Sequence, residues 1–230
     1  MHHDEHFQMS DTLRAAACII LSGGFQDAYT YCVRGRVFAN AQTGNIVLLS
    51  SHLIAGEWAL GLRYLVPVLA FLLGTAVAEA VHFRYRYCEK IHWRQIVLLV
   101  EIVLLLIVGF LGHELDAVAN ALVSFVCALQ VQAFHKVHGH AYASTMCIGN
   151  MRSGMEALCA YLYKRDRAIL RKAMTYFSVI GLFAVGAGLG TYVTRRIGVR
   201  SIWYSCLLLS VSFFMMFVHK HAQKRKNRKK

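Results

Sequence analysis

The residues most able to do chemistry in this sequence are carboxylic acids that stand inside apolar stretches. Asp27, Glu79 and Glu101 each lie in such a stretch. A carboxylate inside a membrane costs at least ~2.5 kcal/mol when it is charged and unpaired, so it is protonated, paired or in contact with water. All three acids are therefore candidate sites for a proton or cation. Structural roles are the alternative: Asp27 could bond the loop after its helix, and Glu79 could reach the interface. Glu101 could pair with a base such as Arg94.

Two polar motifs with a shared Gly-Asn core also stand in apolar surroundings. Thr43 and Asn45 belong to Gln-Thr-Gly-Asn at 42–45, and Asn150 belongs to Ile-Gly-Asn at 148–150. A polar turn at membrane depth exposes backbone groups that protein or water must satisfy. A half-helix N-terminus there carries a partial positive charge, which suits an anion or a carboxylate. The motif side chains could contact a solute, or the two asparagines could cap the turns, because Asn is a preferred cap.

An internal repeat relates the two motifs. An offset of 105 residues aligns their Gly-Asn cores and also aligns Asp27 with Gln132. Gln132 is therefore a candidate site residue opposite Asp27, although polar residues in membrane helices also join helices to one another. The candidate substrate-binding residues are Asp27, Thr43, Asn45, Gln132 and Asn150.

Apolar segments must position these residues. Hydrophobic residues make up 57% of the 230 residues and charged residues only 16%, against about a quarter charged in a soluble domain. This composition excludes a disordered chain and a small disulfide scaffold, and it argues against a water-soluble enzyme. Crossing a bilayer takes about 20 apolar residues, and six segments qualify: 13–33, 60–83, 96–112, 117–134, 173–194 and 201–218. Two interrupted segments, 39–56 and 143–163, contain the Gly-Asn motifs and are candidate re-entrant or broken helices.

The basic residues favour six spans over eight. If both interrupted segments return to the side from which they came, 18 of the 25 Lys and Arg residues face the cytoplasm and six face outward. If both segments cross fully, the distribution is far more even. The positive-inside rule therefore favours six spans with both termini cytoplasmic. Three spans in each half make the second half inverted relative to the first, as in many transporters.

We therefore expect an all-α polytopic membrane protein with six transmembrane helices and two short broken or re-entrant helices in two inverted-topology repeats. Residues 1–12 form a polar N-terminal segment, and 13–218 form a single transmembrane domain with its repeats at about 13–112 and 117–218. The tail, 219–230, has seven basic and no acidic residues, so anionic lipid headgroups are its expected partner and nucleic acid is not. Gly186 and Gly190 form a G-x-x-x-G pair that packs helices within the subunit or in a homodimer.

No pattern in the sequence indicates a cofactor, a metal or a catalytic reaction. His135, His138 and His140 lack the spacing of a metal site. The sequence has no H-E-x-x-H, G-x-S-x-G or P-loop pattern, so we expect a protein that is not an enzyme. Arg152 and Glu156 lie four residues apart and are expected to form a local ion pair on a helix.

The polar motifs resemble those of a known family. The segments 24–28, 38–45 and 145–154 are similar to those of the YoaK family of bacterial inner-membrane proteins, a domain of unknown function with paired Thr-Gly-Asn motifs. Ile148 stands where the family has the second Thr. The resemblance implies a multi-pass protein of the bacterial inner (plasma) membrane with two motifs. It implies no substrate and no catalytic residues.

Together these features predict a transporter or permease for a small solute or an ion, with a midplane site at the two Gly-Asn motifs. The alternative is a non-transporting membrane scaffold, partner subunit or lipid-binding module. A transporter needs a path for water to the motifs, whereas a scaffold would have a polar core sealed by hydrogen bonds.

Overall fold

The computed structural model describes residues 13–85, 93–134, 136–137, 140–141 and 144–227, with side chains described for 16–85, 93–134 and 144–216. The predicted polar segment 1–12 lies outside the described residues, as do His135, His138 and the side chains of the basic tail. The described chain forms eight α-helices: α1 (Leu13–Val33), α2 (Gln42–Ile54), α3 (Trp58–Tyr85), α4 (Trp93–Val108), α5 (Asp116–Ala133), α6 (Cys147–Lys164), α7 (Arg167–Ile197) and α8 (Ile202–Asn227). Single 3-10 turns, His113–Leu115 and Gly198–Ser201, precede α5 and α8. A two-residue strand, Lys136–Val137, pairs antiparallel with His140–Ala141.

Six of these helices match the six predicted apolar segments, because a helix satisfies its own backbone hydrogen bonds in apolar surroundings. α1 has the predicted bounds, whereas α3 and α7 extend beyond theirs at both ends. Pro67 is buried inside α3, and the helix continues past it. α4 ends at Val108, earlier than expected, and its last turn gives way to tighter turns up to Leu111.

The two interrupted segments form helices that begin at the Gly-Asn motifs. α2 begins at Gln42 and α6 at Cys147, so Gly44-Asn45 and Gly149-Asn150 lie in the first turns. The first four N–H groups of a helix have no partner within the helix. The polar motifs are therefore the starts of short helices, and the helices themselves are continuous.

Glycines allow two pairs of helices to approach closely. A Cβ atom added to Gly186 of α7 would lie 2.2 Å from the Leu21 carbonyl oxygen of α1. A Cβ atom added to Gly74 of α3 would lie 2.6 Å from the Phe125 carbonyl oxygen of α5. Small residues at such contacts are typical of closely packed membrane helices. The predicted glycine pair thus packs within the subunit, since Gly190 also meets α1, at Phe25.

The helices pack in a regular order. α1 packs against α7 and α8, and α5 packs against α3 and α4. The short helix α2 packs against α3, the short helix α6 packs against α7, and α4 meets α8. Residues of α1, α4, α5 and α8 supply most of the main hydrophobic core, so these four helices surround the centre of the molecule.

Arg34 fastens the end of α1 to the connection between α4 and α5. Its side chain is fully buried, and its Nη1 atom lies 2.8 Å from Asp116 Oδ1. The guanidinium also donates to the Tyr29 hydroxyl and to three carbonyls at the end of α4, those of Val108, Leu111 and Gly112. All five of its N–H groups are thereby used. Asn120 adds a bond from α5 to the Arg34 carbonyl, at 2.7 Å.

The outer surface of the helices is apolar. Leu72 and Leu73 of α3 are 61% and 60% exposed, and Leu207 of α8 is 63% exposed. Within the described residues, three helical stretches are long and apolar enough to cross a membrane: Trp58–Tyr85, His113–Ala133 and Arg167–Met216. The last of them contains α7 and the part of α8 up to Met216. The described chain is thus helical apart from one short hairpin, and its apolar helices are those of a membrane-associated protein.

Candidate functional site

The candidate site surrounds Gly23, the midpoint of the 21-residue helix α1. Side chains from three other segments meet the backbone of α1 there. Asn40 Nδ2 donates to the Gly23 carbonyl oxygen at 3.3 Å. A Cβ atom added to Gly23 would lie 2.6 Å from Thr145 Cγ2 and 3.2 Å from Gln130 Nε2. We call Gly23, Asn40, Gln130 and Thr145 the Gly23 cluster.

The segment before α2 runs back along α1 to reach this cluster. α1 ends at Val33, about 15 Å along the helix axis from Gly23, yet Asn40 is again level with Gly23. Asn40 N also donates to Asp27 Oδ1 at 2.8 Å. Asp27 therefore bonds the loop that follows its own helix, and the chain re-enters beside α1.

The segment before α6 reaches the same point from another part of the chain. Ser144 and Thr145 immediately precede α6 and are buried. Gln130 belongs to the last turn of α5, and its Nε2 donates to the Ile19 carbonyl of α1 at 3.1 Å. The two segments that lead into the short helices thus meet at the middle of α1.

The buried polar atoms left unpartnered in the Gly23 cluster are oxygens. Asn40 Oδ1, Gln130 Oε1 and Thr145 Oγ1 have no hydrogen-bond partner among the described residues. Each is two covalent bonds from an atom that meets Gly23, so all three oxygens lie near Gly23. Both amide nitrogens donate to backbone carbonyls, which fixes the orientation of the amides. Because buried polar atoms are nearly always hydrogen-bonded, we expect water or a ligand at these oxygens.

Asn45 and Asn150 hold the starts of the two short helices. The Asn45 side chain accepts from Phe38 N at 3.3 Å and donates to the Phe38 carbonyl at 2.7 Å. It also donates to Gln42 Oε1 at 3.0 Å. Asn150 Nδ2 donates to the Met146 carbonyl at 3.0 Å. The prediction that the two asparagines cap these starts is wrong, because the N-cap residues are Ala41 and Met146 and neither helix has a side-chain cap hydrogen bond. Each asparagine instead lies in the first turns of its helix and bonds the residues that lead into it.

Thr43, Gln132 and Glu79 make other contacts. Thr43 is exposed in the first turn of α2. Gln132 Nε2 donates to Glu79 Oε2 at 2.5 Å, and Glu79 Oε1 lies 3.8 Å from His82 Nδ1. The structure therefore joins Gln132 to α3 through Glu79.

Glu101 lacks the basic partner that the sequence led us to expect. Its side chain is fully buried in α4, and neither carboxylate oxygen has a hydrogen-bond partner among the described residues. The expected pairing with Arg94 is wrong, because Arg94 lies two helical turns earlier, about 10 Å along the axis. Glu101 thus lies in the core without a counter-charge on its oxygens.

Away from this core, the expected local ion pair of α6 is confirmed. Arg152 Nε lies 2.8 Å from Glu156 Oε1, and both side chains are exposed. Within the part of the chain that the structure describes, no group of three or more His, Cys, Asp or Glu side chains could hold a metal ion.

Asn40 and Thr145 are absent from the residues predicted to line the site, although the sequence contains a signal for both. The offset of 105 that relates the Gly-Asn motifs also relates Asn40 to Thr145, five residues before each Asn. The two residues differ in type, so a search for repeated letters passes over them. Arg34 has no comparable signal, because its carboxylate and carbonyl partners lie more than seventy residues away.

Comparison with known proteins gives one match. A family model described as Protein of unknown function (DUF1275) matches residues 15–215. No curated protein and no solved structure matches the chain. The matched region includes the Gly23 cluster and Glu101. It also covers all eight helices apart from the first two residues of α1 and the end of α8 beyond residue 215.

Proposed function

The chain belongs to the DUF1275 family, and we propose that it is a multi-pass permease that moves a small solute or an ion past the Gly23 cluster. The family description states no activity, so the proposal rests on the geometry. The paired motifs suggest, more narrowly, the YoaK group of bacterial inner-membrane proteins. We propose that location, with both termini cytoplasmic and the basic tail against anionic headgroups.

The contact between Arg34 and Asp116 supports six spans over eight. In a six-span arrangement, the end of α1 and the start of α5 lie on the same face of the membrane. If α2 and α6 also crossed, those two ends would lie on opposite faces, about 30 Å apart. The pair at 2.8 Å, with Arg34 fully buried, therefore supports the six-span arrangement over the eight-span one.

The order of helix packing supports two inverted repeats. If α1 to α4 correspond to α5 to α8, the contact of α1 with α7 corresponds to that of α5 with α3. The contact of α1 with α8 then corresponds to that of α5 with α4, and the contact of α2 with α3 to that of α6 with α7. A two-fold related pair of repeats with a site at their interface is typical of secondary transporters.

The observation that carries the proposal is the set of unpartnered oxygens at the midpoint of α1. Asn40, Gln130 and Thr145 each present one there. Irregular backbone at membrane depth is tolerated where protein buries it or where it lines a water-filled cavity. Two segments that re-enter to the same depth and leave acceptors unsatisfied are suited to hold a solute.

The chemistry of these oxygens indicates what kind of solute fits. Two are amide oxygens, which only accept hydrogen bonds or coordinate cations. The third is a hydroxyl oxygen. We therefore propose a solute that presents hydrogen-bond donors or positive charge, such as an alkali cation, an ammonium group or a hydroxyl-rich molecule. This differs from the anion that a helix N-terminus alone would favour.

Cysteine labelling tests whether water reaches the site. On a background without native cysteines, Thr145→Cys is compared with a fully buried core position, Ala119→Cys, and an exposed position, Thr43→Cys. We expect an impermeant thiol reagent to modify positions 145 and 43 and to leave position 119 unmodified. Potassium or methylammonium ions should slow the reaction at position 145 more than a choline salt does.

The competing proposal is a non-transporting scaffold, partner subunit or lipid-binding module. It would be favoured if position 145 stayed as unreactive as position 119 in folded protein, because the polar core would then be sealed. No catalytic reaction is proposed for either case. A homodimer also stays a prediction, and its interface would need a face other than the glycine pair that packs against α1.

A further inference from the structure

Glu101 differs from every other buried or half-buried acid of the described chain in the surroundings of its oxygens. Asp27 accepts from Asn40 N, Glu79 from Gln132, and Asp116 from Arg34. Both oxygens of Glu101 are buried and without a partner in the same set of residues. The cluster of acceptors at Gly23 does not include it, so it represents a second polar feature of the core.

Among the described residues, no cationic side chain donates to either oxygen of this carboxyl. α5 packs against α4 and contributes the fully buried Cys127 to their shared core. On α8, the Cys206 thiol lies 3.8 Å from the carbonyl of Ile102, the next residue along α4. α3 meets α4 near its start, where the His82 ring lies 4.7 Å from the Trp93 ring.

A chain of polar side chains connects the neighbourhood of Glu101 with α1. Cys127 Sγ donates to Gln26 Oε1 at 3.0 Å, and Gln26 Nε2 donates to Ser22 Oγ and Ser205 Oγ. Cys127 belongs to the same core as Leu98 and Leu105, which lie on either side of Glu101 along α4. The core that holds this carboxyl group therefore also contains a polar network that leads to the helix of the proposed solute site.

An ionised carboxylate in these surroundings would be both desolvated and unpaired, so the neutral acid is the stable form in this conformation. We propose that Glu101 is a proton-binding site whose proton is exchanged with water when the core opens, and that it couples solute movement to protons. The coupling rests on the proposed transport function. On opening, the O–H bond of the acid breaks, the proton passes to water, and the hydrated carboxylate remains.

Carbodiimide labelling tests proton exchange on the unmodified protein. A protonated carboxyl group in an apolar site adds across a C=N bond of a hydrophobic carbodiimide: its oxygen bonds to the central carbon, its proton goes to nitrogen, and mass spectrometry locates the adduct. In lipid nanodiscs, Glu101 should be labelled at acidic pH. Above the midpoint of its titration, labelling should fall by about tenfold per pH unit. Glu79, which is partly exposed and bonded to Gln132, serves as the internal reference.

Infrared spectroscopy gives a second readout on variants. The carbonyl band of protonated carboxylic acids should be weaker in Glu101→Gln than in the wild type and in Glu79→Gln, and the part that Glu101 contributes should be lost reversibly as the pH rises. A band that persists at every pH would mean a permanently neutral core residue and would overturn the proposal. A band equally strong in Glu101→Gln, or labelling at Glu101 that does not depend on pH, would do the same.

Neither measurement uses a solute. Failure of the proton site therefore leaves the cysteine-labelling test of the Gly23 cluster unaffected. Conversely, a sealed Gly23 cluster with a titrating Glu101 would refute the permease and retain the proton site.

Discussion

At the scale of single residues, Arg34 shows what burial demands of a charged side chain. A buried guanidinium is tolerated only when its donors and its charge are matched. Here five N–H groups meet a hydroxyl, a carboxylate and the carbonyls of Val108, Leu111 and Gly112. The same side chain thus neutralises Asp116 and bonds the backbone at and just after the end of α4.

Arg34→Gln should strongly destabilise the fold. Removing one partner of a buried pair leaves the other charge uncompensated, at a cost of about 3 kcal/mol or more. The midpoint of thermal unfolding in detergent, followed by circular dichroism, measures the loss. Arg152→Gln is the matched control, since its ion pair with Glu156 is exposed and its removal should change little.

Asp116→Asn completes a double-mutant cycle with Arg34→Gln. If the two residues act through their contact, the double variant should be less destabilised than the sum of the two single variants. Fully additive effects would contradict the buried pair.

At the scale of helices, close packing through glycine decides which helices become partners. A Cβ atom at Gly186 would collide with a backbone carbonyl, which cannot rotate away as the end of a side chain can. Gly188 lies two residues further along α7, and a Cβ atom there would meet nothing within 4 Å. Substitution of Gly186 therefore tests the effect of close packing on stability, whereas substitution of Gly188 tests the effect of helix propensity alone.

Gly186→Ala should be destabilised by about 1–3 kcal/mol, because overpacking forces α1 and α7 apart. Gly188→Ala should be neutral or stabilised by up to about 1 kcal/mol, because Ala is the better helix former. Thermal unfolding of both variants in the same detergent compares them. Equal effects in the two variants would contradict the close contact between α1 and α7.

At the scale of the whole molecule, the arrangement of the helix ends determines the topology. The six-span proposal puts Glu57 and His113 on the outer face and Asp166 on the cytoplasmic face. An eight-span chain would put all three positions on the cytoplasmic face. The buried contact between Arg34 and Asp116 is what favours the first arrangement.

Single cysteines at positions 57, 113 and 166 would distinguish the two topologies. An impermeant maleimide added to intact cells should label positions 57 and 113. Position 166 should react only after the cells are made permeable, and a cysteine near the C-terminus provides a second cytoplasmic reference. Protection of position 57 or 113 in intact cells would refute the six-span topology.

The sequence by itself determined which stretches are helical, because apolar run length is a local feature. It led us to expect that the two short segments are interrupted at the Gly-Asn motifs, whereas the structure has continuous helices that begin there. The sequence also identified Asp27 and Glu101 as acids inside apolar stretches. The constant offset of 105 residues related Asn45 to Asn150. These signals are contained in neighbouring residues or in a constant offset, so no knowledge of packing was required.

Only the tertiary structure decided which polar groups meet. It joined Asn40 and Thr145 at Gly23, Gln132 to Glu79 and Arg34 to Asp116, and it left Glu101 without a partner. Each pairing links residues from separate helices or loops, and it depends on how deep each helix lies and which face it turns inward. Those quantities follow from the packing of all the helices at once, so the spacing of residues along one segment does not contain them.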